Sequence, residues 1–312
     1  LPVPFVIYAD FESLLKSIHH NEPCDNKSFT VQIREHEPYS FAFYVKCNFD
    51  DRCSKFETYR GPNAAEVFIE KLNEVALDLY NNYLKHVKEM APLSDQEETE
   101  YANASCCHIC DKIFHVYDTK VHDHCQLLGK YRGAAHSNCN LNYKILKFIP
   151  GFFHNLNYDT SLFIKKLAAK KESLSVIAQT KERYISFSKS VLVEKSADPK
   201  KPDTYLKLKF VDSFRFLPKS LDKLSQTLES HQCVEIRRHF QDEQEFNLIR
   251  RKGVFPDSYV DSFEKLAEYS LPSKEKCYND LTHESLFDED YEQATNIWNI
   301  FKCSTLGEYA DL

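Results

Sequence analysis

The chain opens on an apolar run, Phe5-Val6-Ile7-Tyr8-Ala9, that passes directly into Asp10-Phe11-Glu12-Ser13. A short continuous run rich in β-branched and aromatic residues predicts a buried strand. After a polar excursion over residues 17–38, residues 39–49 and 55–59 read as two further strands, an antiparallel meander with the first. Gly61-Pro62-Asn63 stops the third strand. Beyond it Phe68, Leu72, Val75, Ala76, Leu79, Tyr83 and Val87 recur at three- and four-residue steps, which predicts a long amphipathic helix. Residues 91–105 are polar and acidic and read as an exposed linker into a different kind of segment, 106–145. Past that insert, residues 148–153 resume a buried strand and 161–169 a helix. Residues 174–178, 184–187 and 205–212 add three strands and 217–228 a helix. Residues 230–312 read as mainly helical and polar, broken at Pro256 and Pro272. The expected organisation is a first part of an α/β domain over 1–105, an insert over 106–145, the second part over 146–229 and a helical extension over 230–312.

Composition sets bounds on this picture. With 42% hydrophobic and 28% charged residues in 312, the chain has ordinary globular usage and enough length for one domain plus an insert. A formal charge of −7 argues against a broad basic face that grips duplex DNA, so any nucleic-acid contact is expected to be local and metal-assisted. Leu1-Pro2-Val3-Pro4 lacks the basic and apolar regions of a secretory signal, and no stretch is long and apolar enough to span a membrane. Eleven cysteines, several clustered with histidines, suit a reduced intracellular compartment and a metal site, and disulfides are not expected.

Two acidic motifs carry the first candidate chemistry. On a strand, residues i and i+2 share a face, so Asp10 and Glu12 offer two oxygen ligands to one hard cation. Phe153-His154-Asn155-Leu156-Asn157-Tyr158-Asp159 supplies a third carboxylate, Asp159. Clustered carboxylates without thiols suit two Mg²⁺ or Mn²⁺ ions, and phosphodiester hydrolysis uses one ion to activate water and the other to hold the leaving oxygen. Acid-x-acid triplets also occur by chance, as in Glu35-His36-Glu37, but Asp10 and Glu12 continue a buried strand, where acids are rare unless they serve a purpose.

The insert carries a second. Cys107-His108-Ile109-Cys110 and His136-Ser137-Asn138-Cys139 give C-x2-C and H-x2-C half-sites 25 residues apart, a structural zinc pattern, with Cys106 and Cys125 open as substitute ligands. Between and beside these half-sites, Asp123, His124 and Asn140 resemble the site of zinc-bearing HNH nucleases of the recombination endonuclease VII type. That resemblance implies a metal-binding Asp, a water-activating His and an Asn that orients it. Gln126 stands where that pattern carries a further His.

Taken together, these residues make nearly the whole chain resemble the exonuclease domain of protein-primed family B DNA polymerases, of the kind found in self-synthesising transposons and related viruses. The resemblance implies a ribonuclease H-like α/β fold with a mixed sheet, which the three strands followed by a helix also fit, and a 3'→5' proofreading exonuclease. Asp10 and Glu12 match its first motif, and Asn155, Tyr158 and Asp159 its second. Ser13, Asn155 and Tyr158 then touch the single strand. Phe210-Val211-Asp212-Ser213-Phe214 resembles the later strand-to-helix segment, with Ser213 and Phe214 at single-strand positions or, equally, packed at a helix start. The implied partners are an unpaired DNA 3' end, primer-template DNA and a terminal priming protein, at a nuclear or viral replication site and without a membrane. The family's third motif, Tyr-x3-Asp, is missing, and the closing residues resemble the segment just before it, so the chain reads as a fragment without the polymerase motifs. Asp311 or Asp212 remain as substitutes for the third-motif carboxylate.

Overall fold

The structure, a computed structural model, describes residues 3–17, 34–143, 148–169, 174–180, 183–280 and 283–312. Most of the polar excursion, residues 18–33, and the end of the insert, 144–145, lie outside the described residues.

Three strands form the predicted meander: β1 (Phe5–Ser17), β2 (Arg34–Cys47) and β3 (Lys55–Arg60). Helix α1 (Ala64–Leu79) follows and buries Phe68, Ile69, Leu72, Val75, Ala76 and Leu79. It is shorter than its periodicity suggests. A π-helical turn at Tyr80–Leu84 ends it, because Tyr80 and Lys85 both reach Glu194 at 2.6 Å and fasten the chain to the sheet there. Val87, the last position of the apolar series, is exposed. The linker is not featureless either. Helix α2 (Asp95–Asn103) forms inside it without an apolar face, nucleated by a capping box in which Ser94 and Glu97 satisfy each other's backbone N–H.

Strands β4 (Lys120–His124) and β5 (Tyr131–His136) pair as a separate two-stranded sheet, followed by α3 (Ser137–Asn142). The chain then returns to the large sheet through β6 (Phe148–Phe153), α4 (Leu156–Ala169), β7 (Leu174–Ala178), β8 (Tyr184–Glu194) and β9 (Thr204–Asp212). The large sheet has seven strands in the order β3-β2-β1-β6-β9-β8-β7. Its centre, β1-β6-β9, is parallel, and both flanks are antiparallel, so the fold is α/β with a mixed sheet.

One face of this sheet holds the main core. Phe5, Ile7 and Phe11 of β1, with Leu208 and Phe210 of β9, pack against Phe68 of α1 and Phe163 of α4, whose rings lie 5.2 Å apart. Gly151 sits where no side chain fits, since a Cβ there would stand 2.6 Å from the buried Phe210 ring. The predicted helix over 217–228 shrinks to α5 (Leu221–Ser225), because Leu217, Leu221 and Leu228 find no core and stay exposed. The remainder is a string of short helices: α6 (Val234–His239), α7 (Glu243–Ile249), α8 (Phe263–Leu266), α9 (Asp288–Ile300) and α10 (Leu306–Ala310). They form a second core in which Val260, Leu266, Ala294, Ile297, Leu306 and Tyr309 close over Leu14 and Tyr39. That seats the extension on β1 just beyond Glu12.

Replacing Gly151 by Ala is expected to lower stability by about 1–3 kcal/mol through overpacking against Phe210. Urea unfolding checks this, and an unchanged midpoint would mean that the ring moves aside freely.

Candidate functional site

β1 pairs with β6 only at Ile7 and Tyr8, while β6 ends at Phe153, so Asp10 and Glu12 overhang the turn that opens α4. Alternation on β1 sends Ile7 and Phe11 into the core and turns Tyr8, Asp10 and Glu12 to the open face. Asn155, at the turn, has φ 78°, a left-handed conformation that Asn tolerates better than most residues. Its N–H donates to Asp212 Oδ1 at 3.1 Å, and the Phe214 N–H donates to the same oxygen at 3.0 Å. With the turn held in this way, Tyr158 and Asp159 fall in the first turn of α4 beside β1.

The three carboxylates feel one another. Asp10 and Glu12 reach solvent, yet protein surrounds them closely enough that desolvation is the largest influence on each. Burial raises Asp10, partly offset by the Phe11 N–H, Asp159 and His154. Burial, then the charges of Asp10 and Asp257, push Glu12 up to about 7, with Lys252 opposing. Asp159 is only 1% exposed, and burial followed by Asp10 pushes it up to about 8. Its Oδ1 is buried with no hydrogen-bond partner. A buried orphan oxygen on an acid that also feels the charges of Asp10 and Glu12 is unfavourable unless a cation joins them. As they stand, the three do not form a group tight enough to close directly on one ion. Among the described residues, that distinction belongs to the cysteine-histidine cluster alone.

A rim of polar and aromatic groups borders the acids. Ser13 Oγ lies 2.6 Å from the Tyr158 hydroxyl and 3.1 Å from His36 Nδ1. Burial, partly offset by Ser13, raises Tyr158 above the ordinary phenol range and keeps its proton on. Phe214 is 43% exposed and meets the His154 ring edge-on, whereas the Ser213 hydroxyl donates to the Phe153 carbonyl at 3.0 Å and also contacts His154 Nδ1. Of that pair, only Phe214 presents itself to a ligand. The two substitute carboxylates are committed elsewhere: Asp212 caps the turns, and Asp311 pairs with Arg60 at 3.0 Å.

The extension contributes groups that the sequence motifs missed. Asp257 and Lys252 line, with Glu12 and Tyr39, one groove of about 1430 Å³. No local pattern marks them, because only the second core brings them to β1.

In the insert, Cys107, Cys110, His136 and Cys139 converge with ligand atoms all within 4.8 Å of one another. Three thiols and one imidazole are a donor set suited to zinc. The imidazole is pre-aimed, since His136 Nδ1 faces Cys110 and Cys139 at 3.5 and 3.9 Å while Nε2 lies 3.3 Å from Asp118 Oδ2. Burial opposes the Cys107 thiolate, but the N–H groups of His136, Ile109 and Cys110 outweigh it and bring the thiol down to about 6. Cys106 is exposed, and neither it nor Cys125 joins the cluster.

In the HNH-like trio, the carboxylate is already engaged by neighbouring side chains. Asp123 is 1% exposed, and its carboxylate accepts Arg132 Nε at 2.8 Å and Nη2 at 2.7 Å, with His108 Nε2 at 2.8 Å. Both of its oxygens are engaged in this way, which ties the carboxylate to Arg132 and His108. A register shift falls between Asp123 and His124 in the β4–β5 pairing. No family model, curated protein or solved structure matches the chain.

Two expectations follow from these charges. Purified from zinc-containing medium, the chain should hold about one zinc per molecule by atomic absorption. Cys107→Ser should remove it and expose residues 106–143 to hydrogen exchange while the seven-stranded sheet stays protected. In chelator, Glu12 and Asp159 bind protons more tightly folded than unfolded, so their contribution to stability is present below the ordinary carboxylate range and is lost as pH rises toward about 8. Asp159→Asn should therefore raise stability at pH 8.5 by on the order of a few kcal/mol, with a smaller gain at pH 5. Equal gains at both pH values in thermal melts would contradict this.

Proposed function

We propose that the chain is a metal-dependent 3'→5' exonuclease acting on unpaired DNA ends, the proofreading portion of a protein-primed family B DNA polymerase. The observation that carries this reading is the buried, unpartnered Oδ1 of Asp159 placed beside Asp10 and Glu12. The strand order supports it, because a three-stranded antiparallel meander continued by two parallel strands agrees with a ribonuclease H-like layout.

Asp10, Glu12 and Asp159 are the residues that would hold Mg²⁺ or Mn²⁺, being oxygen donors only. Bound there, the ions supply Lewis-acid stabilisation of the charge that develops on the attacking and leaving oxygens of a phosphodiester. The chain's own contribution is position. Ser13 and Tyr158 set two hydroxyls at the rim, directly beside Glu12 and Asp159 in the sequence. Phe214 offers an exposed ring on which a terminal base can stack without sequence preference. Asn155 fixes the turn through its backbone and is exposed there, where it can serve as a strand contact. The cysteine-histidine module is a structural zinc finger in this reading, with Asp123 serving its internal packing. The terminal protein and primer-template DNA remain partners by resemblance of the motifs.

The test is digestion of a single-stranded oligonucleotide labelled at its 5' end, with Mg²⁺ or Mn²⁺. A ladder shortening from the 3' end, reduced by roughly 10²–10³-fold in Asp10→Ala and unaffected in His124→Ala, is expected. Internal cuts that survive Asp10→Ala and vanish in His124→Ala would replace this reading by an endonuclease in the finger.

A further inference from the structure

Ser13, Tyr158 and His36 come from β1, α4 and β2 and close a hydrogen-bonded triangle. Ser13 Oγ to Tyr158 hydroxyl is 2.6 Å, Ser13 Oγ to His36 Nδ1 is 3.1 Å and His36 Nδ1 to Tyr158 hydroxyl is 3.0 Å. The His36 and Tyr158 rings meet edge-on at 5.5 Å and 85°. This convergence is built by the backbone. Pairing between β1 and β2 slips after Glu12, so that Glu12 faces Ser40 while Ser13 faces Pro38, and the extra residue, Tyr39, is anchored in the second core. A bulge of this kind re-aims the side chains beside it, and it stands next to the acidic site.

The hydrogens available to the triangle limit how it can be satisfied. The two hydroxyls carry one hydrogen each, and three edges need three. With Nδ1 bare, closing as many edges as possible consumes both hydroxyl hydrogens inside the triangle, and one edge still lacks its proton. With the hydrogen on Nδ1, the ring forks its N–H to both oxygens and one hydroxyl donates to the other. The last hydroxyl hydrogen is then free to point outward. All three groups lie at the surface, Tyr158 being 39% exposed, so that donor faces whatever enters the acidic mouth.

We infer that His36 is a positioning residue, which ties Ser13 to Tyr158 and turns one of their hydroxyls outward as a donor to a phosphate oxygen of the unpaired strand. This rests on the exonuclease reading and adds to it the group that orients the strand-holding hydroxyls. His36 touches neither the scissile bond nor the carboxylates in this role. Its effect therefore falls on strand binding and travels through Tyr158.

The test measures steady-state cleavage of a short single-stranded oligonucleotide by the wild type, His36→Ala, His36→Asn, Tyr158→Phe and the double variant His36→Ala/Tyr158→Phe. Anisotropy of the same labelled strand in Ca²⁺ reports binding. His36→Ala should raise KM and the dissociation constant by roughly threefold to tenfold, the worth of one hydrogen bond, with most of the loss in KM rather than kcat. His36→Asn, whose amide can replace Nδ1, should recover most of it. The double variant should be little worse than Tyr158→Phe alone, since both act through one unit. A wild type that cleaves while His36→Ala keeps its KM, or losses in the two single variants that simply add, would overturn the role of His36. A wild type that neither cleaves nor binds would sink the exonuclease reading and this inference with it.

Discussion

The site depends on one carboxylate that does no chemistry. Asp212, buried at the end of β9, accepts two backbone N–H groups on a single oxygen, from Asn155 at the opening of α4 and from Phe214 in its own following turn. Neither turn could otherwise satisfy those donors away from water, and an unmade bond there costs about 1–3 kcal/mol. The left-handed Asn155 is affordable only because the bond holds it. From that fixed turn, Tyr158 and Asp159 take their places beside β1, and Phe214 takes its place beside His154. Asp212 Oδ1 is therefore committed to the backbone of both turns.

Around this frame the acids are held in a state that favours protons over charge. Asp10, Glu12 and Asp159 are all raised, and burial is the leading cause in each. Near the second core, Asp257 adds a further negative charge felt by Glu12, with Lys252 as the opposing cation. Near neutral pH and above, this arrangement works against fold stability. Groups left so short of counter-charge are the kind that a divalent ion stabilises, and the same shortage makes the metal-free protein weaken as pH rises. The finger shows the opposite economy. There, Asp123 has Arg132 and His108 as partners, and His136 has Asp118.

How much of this was legible in the sequence follows from the range of each interaction. The face shared by Asp10 and Glu12 needs only strand alternation, and the cysteine-histidine spacing needs only two tight turns, so both were readable. Helix α2 was hidden because its signal is a capping box without an apolar face. The apolar repeat over 217–228 misled because periodicity predicts a helix only where a core waits to receive it, and Leu217, Leu221 and Leu228 remain in solvent. Asp118, His36, Lys252 and Asp257 had no local mark at all. His36 even sits in an acid-x-acid triplet of the kind that occurs by chance, and it matters only through a slip in strand register and a contact with a residue 122 positions later.

The helical extension bears most on how the site is bounded. Its second core takes Leu14 and Tyr39 as members, residues one strand position or one bulge away from Glu12 and Ser13. Arg60 presses so close to Gly307 that a Cβ there would stand 2.4 Å from its guanidinium, and it also pairs with Asp311, so the last helix is clamped to β3 by both packing and charge. A bulge costs sheet pairing, and burying Tyr39, whose phenol is driven upward by that burial, offsets the cost with apolar area. The extension is thus the reason the bulge persists. The bulge in turn places Ser13 against Tyr158 and His36, so the strand-holding rim is set by helices that supply none of its hydroxyls.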